Sequence, residues 1–493
     1  MKAIVLLATL FTTFAAHAAA IGYEGARHLL NRAGFGATEG EVEAIAGLSR
    51  EEAVDRIIRG ARATAVTAPP AFVSEPFSPY YKLREMSVAD RMAEQKRNIE
   101  RSLELREWWY REMLSTPSPL TEKMTLFWHN HFATSQQKVR NPQLVYRQNV
   151  LLRREALGNF GVLLHNIARD PAMLVYLDNA GSRKEKPNEN FAREVMELFT
   201  LGEGSYTEKD IKEAARAFTG FSLDRDSGEF RYRPFIHDDG EKLIFGARGR
   251  YGAEDVLDLL LARQETAFFI TRKLWREFVS PVPDEQEVKF LAGVFRNSRY
   301  DTRALLRAML LCNAFWAPEN RASLIKSPVE LVVGTLHTFE IRPMNLRPAV
   351  LAGALLGQNV FSPPNVKGWP GGEAWINSAT LLGRKQLLDR LFRAEEMPAA
   401  PAMMAASAGF GEQPVAGKGD GREARMQRQM DRGMASYEFN WDKWSRPFGT
   451  SPVQAAKIEK LVLPAPPLTP APDNATGLEL VRALVSDPVY QLK

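Results

Sequence analysis

The sequence predicts a mainly α-helical fold: one large multi-helix globular domain with a small antiparallel β-hairpin insert. Three observations predict it. Apolar residues recur at three- and four-residue spacing along most of the chain. Capping signals stand at the start of several of these segments. Strand-like patterning is confined to about residues 221–246. The 493 residues are 45% hydrophobic and 25% charged, an ordinary globular composition with enough length for a sizeable core.

In chain order, the first segment reads as a secretory signal. Lys2 is a minimal charged start, Ala3 to Phe14 is a short apolar run, and Ala16-His17-Ala18 is an A-x-A cleavage site. Residues 1–18 are therefore expected to be a signal peptide, and the protein to be periplasmic or secreted. No later run approaches the roughly 18 apolar residues of a membrane span, so no transmembrane anchor is expected. Residues 19–396 form the expected helical domain. Thr38…Glu41, Ser49…Glu52 and Thr207…Asp210 are capping boxes or their Asp variant. Ser118-Pro119 and Ser327-Pro328 fit a capping serine followed by proline at the first helical position. Helical spacing covers 88–115, 119–131, 143–157, 189–201, 208–219, 254–279, 284–295, 302–313, 328–340 and 379–393. Between them, 66–80 carries four prolines and reads as a surface loop, and 221–246 reads as a hairpin with a third short strand. Residues 397–470, rich in Ala, Pro, Gly and Met, read as a low-complexity linker or insertion. Residues 471–493 hold a C-terminal helix expected to dock on the body.

Net charge is +5 and is spread without a Lys/Arg block, which argues against nucleic acid as a partner. Cys312 is the only cysteine, so no internal disulfide can form and packing must carry stability.

Candidate chemistry lies in four places. Helical spacing over 189–201 stacks Glu189, Arg193 and Glu197 on one row and Asn190 with Glu194 on another. Such rows are either a solvated ion-pair ladder or, in a cleft, a source of general acids, bases and anion ligands. Arg216 on the next helix is a second anion-binding candidate. In Trp128-His129-Asn130-His131-Phe132 the histidines lie about 200° apart on a regular helix and cannot share a metal. His129 shares a face with Thr125 and Glu122 and is the functional candidate; His131 is the candidate for a buried, backbone-bonded histidine. The letters match the HNH nuclease motif, but a capped helix precedes them where that motif has a metal finger. His237-Asp238 precedes an Asp-Gly turn, and no turn requires that histidine. Asn365-Val-Lys-Gly-Trp-Pro-Gly-Gly372 continues to Trp375; its tryptophans are either stacking surfaces or core plugs, and Lys367 is placed to reach a ligand.

These segments resemble a bacterial family, the domain of unknown function 1800. The matching pieces are Arg27-His-Leu-Leu-Asn-Arg-Ala-Gly-Phe-Gly36, Leu120 to Phe132, Asp170-Pro-Ala-Met-Leu, Tyr176-Leu-Asp-Asn and Asn188 to Glu194. Glu197 to Gly202, Ala215 to Gly220, His237-Asp238 and Asn365 to Gly372 complete them, over about residues 22–395. The resemblance implies an exported, mostly helical protein, with a sulfatase-like exported partner, and no established reaction.

Two functions follow as expectations. In the first, His129, the Glu194–Glu197 helix and the His237–Asp238 loop converge on one cleft with the glycine–tryptophan loop as rim. The protein is then a hydrolase or carbohydrate-active enzyme acting on a glycan. Glu194 or Glu197 is its acid or base, and His129, His237 and Asp238 relay protons or bind an optional divalent metal. Asn190, Arg193, Arg216, Lys367, Trp369 and Trp375 would bind the ligand. In the second, the same polar groups are a closed structural network and the protein is a non-catalytic assembly or partner-binding factor.

Overall fold

Three-and-four spacing becomes helix almost everywhere it occurs. The computed structural model describes residues 19–393, 420–434, 436–449, 453–472 and 475–493; the expected signal segment and residues 397–419 lie outside them. Helices Val88–Ser115, Pro119–His131, Glu208–Ala217, Glu285–Asn297, Thr302–Leu311 and Pro328–Thr338 follow the expected segments closely. Capping boxes form at Thr38, Ser49, Thr207 and Ser327. Pro119 takes the first helical position, but the Ser118 side chain makes no cap bond. Segment 254–279 divides into Ala253–Ala262 and Gln264–Phe278, because Arg263 is extended at φ −77°, ψ 137°.

The insert holds two hairpins where one with a third strand was expected. Phe221–Leu223 pairs with Phe230–Tyr232, and Lys242–Ile244 turns back onto Ala247–Gly249. Phe245 and Gly246 both take positive φ, 50° and 80°, as a tight two-residue hairpin turn requires.

The linker reading of 397–470 fails for its described residues. Helices Asp420–Met434, Trp441–Ser445 and Val453–Val462 occur there, and Met430, Met434, Phe439, Trp444 and Ile458 are buried. The Tyr437 hydroxyl donates to the Asn345 carbonyl at 3.0 Å, and Trp444 Nε1 donates to Thr338 O at 2.8 Å. Isolated methionines and aromatics among Gly and Arg supply this packing without a clear apolar period. Helix Gly477–Ser486 docks on helix Ser378–Arg393, and the last residues pair by backbone with 324–326. No helix among the described residues is long and apolar enough to cross a membrane.

Helix Pro119–His131 is the centre of this arrangement. Eleven of its 13 residues are buried, including Glu122, Lys123, His129 and His131. A helix buried on all sides needs internal partners for its charged and imidazole side chains, because an orphaned buried group costs about 1–3 kcal/mol.

Candidate functional site

Glu122, Lys123, His129, Asn130 and His131 of the central helix each reach a different neighbour, whereas Thr125 bonds back to Thr121 O and the Thr121 hydroxyl has no partner among the described residues. Glu122 accepts a two-pronged pair of bonds from Arg153 on helix Pro142–Arg154, at 2.6 and 2.9 Å, and a third from Trp109 Nε1 at 2.7 Å. Arg153 also donates to Asn149 Oδ1 at 2.7 Å, and Asn149 Nδ2 meets His129 Nε2 at 3.0 Å. The amide therefore donates to Nε2, which places the His129 proton on Nδ1. His129 is 2% exposed and is walled by the Trp109 and Phe361 rings. Burial, then the Arg153 charge, pushes its pKa down to about 3.

Two residues on, His131 Nε2 donates to Phe199 O at 3.1 Å while Nδ1 accepts from Lys273 Nζ at 2.9 Å. This is the backbone-bonded histidine expected from the sequence. Burial, then Arg276, pushes the Lys273 amine down to about 8. Phe199 lies in a π-helical turn, Glu197–Leu201, where the wider winding leaves a carbonyl aimed outward. Asn130, between the histidines, accepts from Trp369 N at 2.6 Å. Gly368 makes that approach possible: at φ +84°, its Cβ would stand 2.2 Å from Asn130 Oδ1. The Trp-His-Asn-His sequence is thus a junction. Trp128 binds Ala156 O, His129 binds Asn149, Asn130 binds the glycine-rich loop, and His131 binds the π turn.

Lys123, on the same helix, meets Glu330 and Glu277. Lys493 also pairs with Glu330 and lies 3.6 Å from Glu277. Burial pushes the Glu330 carboxyl up, but the two lysines outweigh that and hold it well below the usual range.

The Glu189–Met196 helix presents a half-open cluster. Glu197 accepts from the Tyr206 hydroxyl at 2.6 Å, and Arg193 forks onto Glu208 at 2.7 Å on the surface. Burial, then Glu197, pushes the Glu194 carboxyl up, while Arg193 and Lys367 pull it back. Lys367 also lies 3.4 Å from Glu203. Glu194, Glu197, Arg193 and Lys367 therefore share a surface. Asn190 is exposed on the same helix, and its backbone N–H is capped by Asn188.

His237 and Asp238 stand elsewhere. His237 Nδ1 donates to Thr219 O at 2.8 Å, and Asp238 takes a two-pronged pair from Arg216 at 2.7 and 3.0 Å. Arg216 also binds Glu213 and Glu241 O. The buried Lys242 Nζ donates to Asp238 O at 2.6 Å. These bonds tie helix Glu208–Ala217 to the two hairpins.

The expected single cleft is not assembled. His129, the Glu194–Glu197 pair and His237–Asp238 have separate partners, because the first lies inside the bundle and the last anchors the insert. The candidate ligands His129, His237 and Asp238 do not come together, and among the described residues no group of three or more His, Cys, Asp or Glu is placed to hold a metal. Trp369 and Trp375 are core plugs, 3% and 6% exposed, not rim.

The family match is broader than the individual motifs. A profile of the protein of unknown function family DUF1800 matches residues 28–492. The chain belongs to this family. The match passes through 420–492, so the DUF1800 domain includes the helices after residue 419 that composition assigned to a linker or insertion. No curated protein and no solved structure matches the chain.

The residues missed at the sequence level are the partners: Asn149 and Arg153 for the central helix, Lys273 for His131, and Glu330 with Lys493 for Lys123. The signal present was the shared face of Glu122, Thr125 and His129. An acid and a histidine on the face of an otherwise apolar helix call for a cation and an amide from a neighbouring element.

Proposed function

We propose that this DUF1800 protein is a non-catalytic partner-binding factor of the cell envelope, exported by its N-terminal signal segment. One observation carries the reading. The histidines and the loop aspartate that would do acid–base work are each held by an internal partner, and none shares a partner with Glu194 or Glu197. Fully paired polar groups of this kind fix how elements meet. Export rests on the Ala3–Phe14 run and the Ala16-His17-Ala18 exit.

A hydrolase acting on envelope glycans is the second reading. The observation that favours it is the half-buried Glu194 with its raised pKa beside Glu197 and Lys367. Two neighbouring carboxyl groups, one of them raised by burial, are an acid–base pattern.

Complementation of a deletion strain in the native host separates the two. Glu194→Gln and Glu197→Gln, singly and together, keep charge-independent packing and are expected to restore the deletion phenotype as wild type does. Loss of function in variants that are exported and melt like wild type contradicts the binding reading and installs the hydrolase.

A further inference from the structure

A groove of about 910 Å³ shares no lining residue with the histidines, with Glu194 and Glu197, or with the His237–Asp238 loop. It runs along the first half of helix Val88–Ser115, between residues 72–78 and 136–143. Arg91, Arg97, Arg101, Arg106 and Arg140 line it, against Glu75 and Glu94. Five guanidiniums against two carboxylates leave a net charge of +3. Arg97 and Arg101 are held by Glu94 and Glu75, which fixes their forks along the groove wall. Among the described residues, Arg91 and Arg140 reach backbone carbonyls alone, Met86 O at 3.2 Å and Gln137 O at 3.4 Å.

The helix itself is unusual. Its second half is buried in the bundle, but residues 88–93 are exposed on every side and only Glu94 is buried before residue 98. Val88, Met92 and Ile99 are 70%, 67% and 60% exposed. At 100° per residue they lie within about 40° of one another, so they form one apolar stripe beside the basic groove. An exposed aliphatic stripe flanked by arginine is the composition of a protein-binding face.

We infer that this face docks an amphipathic helix of a partner protein, its apolar edge laid on Val88, Met92 and Ile99 and its flanking Asp and Glu side chains received by the arginine groove. Charge decides the occupant. A second copy of this chain would set arginines against arginines. A polysaccharide would leave the aliphatic stripe uncovered, and the groove offers it no stacking surface, since Phe72, the one aromatic in the lining, is buried. A helix packed along the free half of Val88–Ser115 has about 21 Å to follow, roughly four turns. The inference rests on the partner-binding reading and names the chemistry of the partner.

The test uses the full mature chain and a synthetic, labelled helical peptide of about four turns, with leucines at heptad spacing and glutamates on the flanks. Fluorescence anisotropy is expected to show saturable binding that weakens as salt rises. Ile99→Glu, and separately Arg91→Glu with Arg140→Glu, are expected to weaken binding by about tenfold or more, and all three sites are exposed enough to leave the fold intact. The same peptide with lysine in place of glutamate is expected not to bind. No saturation by about 1 mM, or binding that both variants leave unchanged, overturns the inference. Dextran sulfate binding that depends on the arginines but not on Ile99 overturns it in favour of a polyanion. Complementation tells this failure from failure of the function. If the peptide fails while Glu194→Gln/Glu197→Gln still complements, the occupant is wrong and the binding reading stands; loss of complementation by that pair removes the binding reading itself.

Discussion

Glu122→Ala is expected to lower the unfolding free energy by about 3–5 kcal/mol, the largest effect of any single substitution in the buried polar network. Glu122 and Arg153 are 1% and 2% exposed, so removing the carboxylate leaves a guanidinium deep in the bundle with no counter-charge. The same change strips Trp109 Nε1 of its acceptor and releases Arg153 from the geometry that holds Asn149 against His129. Denaturant midpoints read the loss. The double variant Glu122→Leu/Arg153→Met removes both charges at similar volume and is expected to recover a large part of it, because an apolar pair replaces a buried ion pair at little cost. A single variant as stable as wild type would mean that water reaches Arg153, and the sealed network would be wrong.

Glu330→Ala is expected to cost about 3 kcal/mol, somewhat less than Glu122→Ala because a second carboxylate remains. Glu330 is the shared acceptor of Lys123 and Lys493, and its other oxygen accepts from Ser327 N at 2.7 Å as part of a capping box. Losing it removes one of the two capping-box bonds of helix Pro328–Thr338 and leaves two buried amines to share Glu277, which is one-third exposed. The same contact ties residue 493 to the core, so limited proteolysis of the final helix is expected to speed up in the variant. Wild-type resistance there would show that the backbone pairing of residues 491–493 with 324–326 holds that end alone.

Much of the fold is legible because its information is local. Thr38…Glu41 and Ser327…Glu330 announce their helices within four residues, and the 28-residue helix Val88–Ser115 coincides with its apolar spacing. The site is less legible because its information is tertiary. Glu122 and His129 share a readable face, but only the fold decides that this face meets Asn149 and Arg153 rather than solvent. Trp369 illustrates the same limit. A glycine-rich loop with tryptophans suits a rim, and it is the approach of Gly368 to Asn130 that turns the ring inward. Residues 420–463 resist a sequence reading for a compositional reason: Tyr437, Phe439 and Trp444 sit in irregular turns and a short helix, where no period accumulates, and Met430 and Met434 are isolated apolar residues on an otherwise polar helix.

Closure of the histidine network is tested most directly by imidazole NMR on the full chain, titrated from about pH 8 to pH 4. His129 is expected to stay neutral with its proton on Nδ1, and His131 neutral with its proton on Nε2, because burial holds His129 at about 3 and His131 well below the usual value. The sign follows from linkage. The unfolded chain takes up protons near pH 6.5 while the folded chain does not, so the stability present above that pH is lost as pH falls toward about 3. Titration of either ring near 6.5 in protein that is still folded would contradict a sealed scaffold and restore His129 as a catalytic candidate.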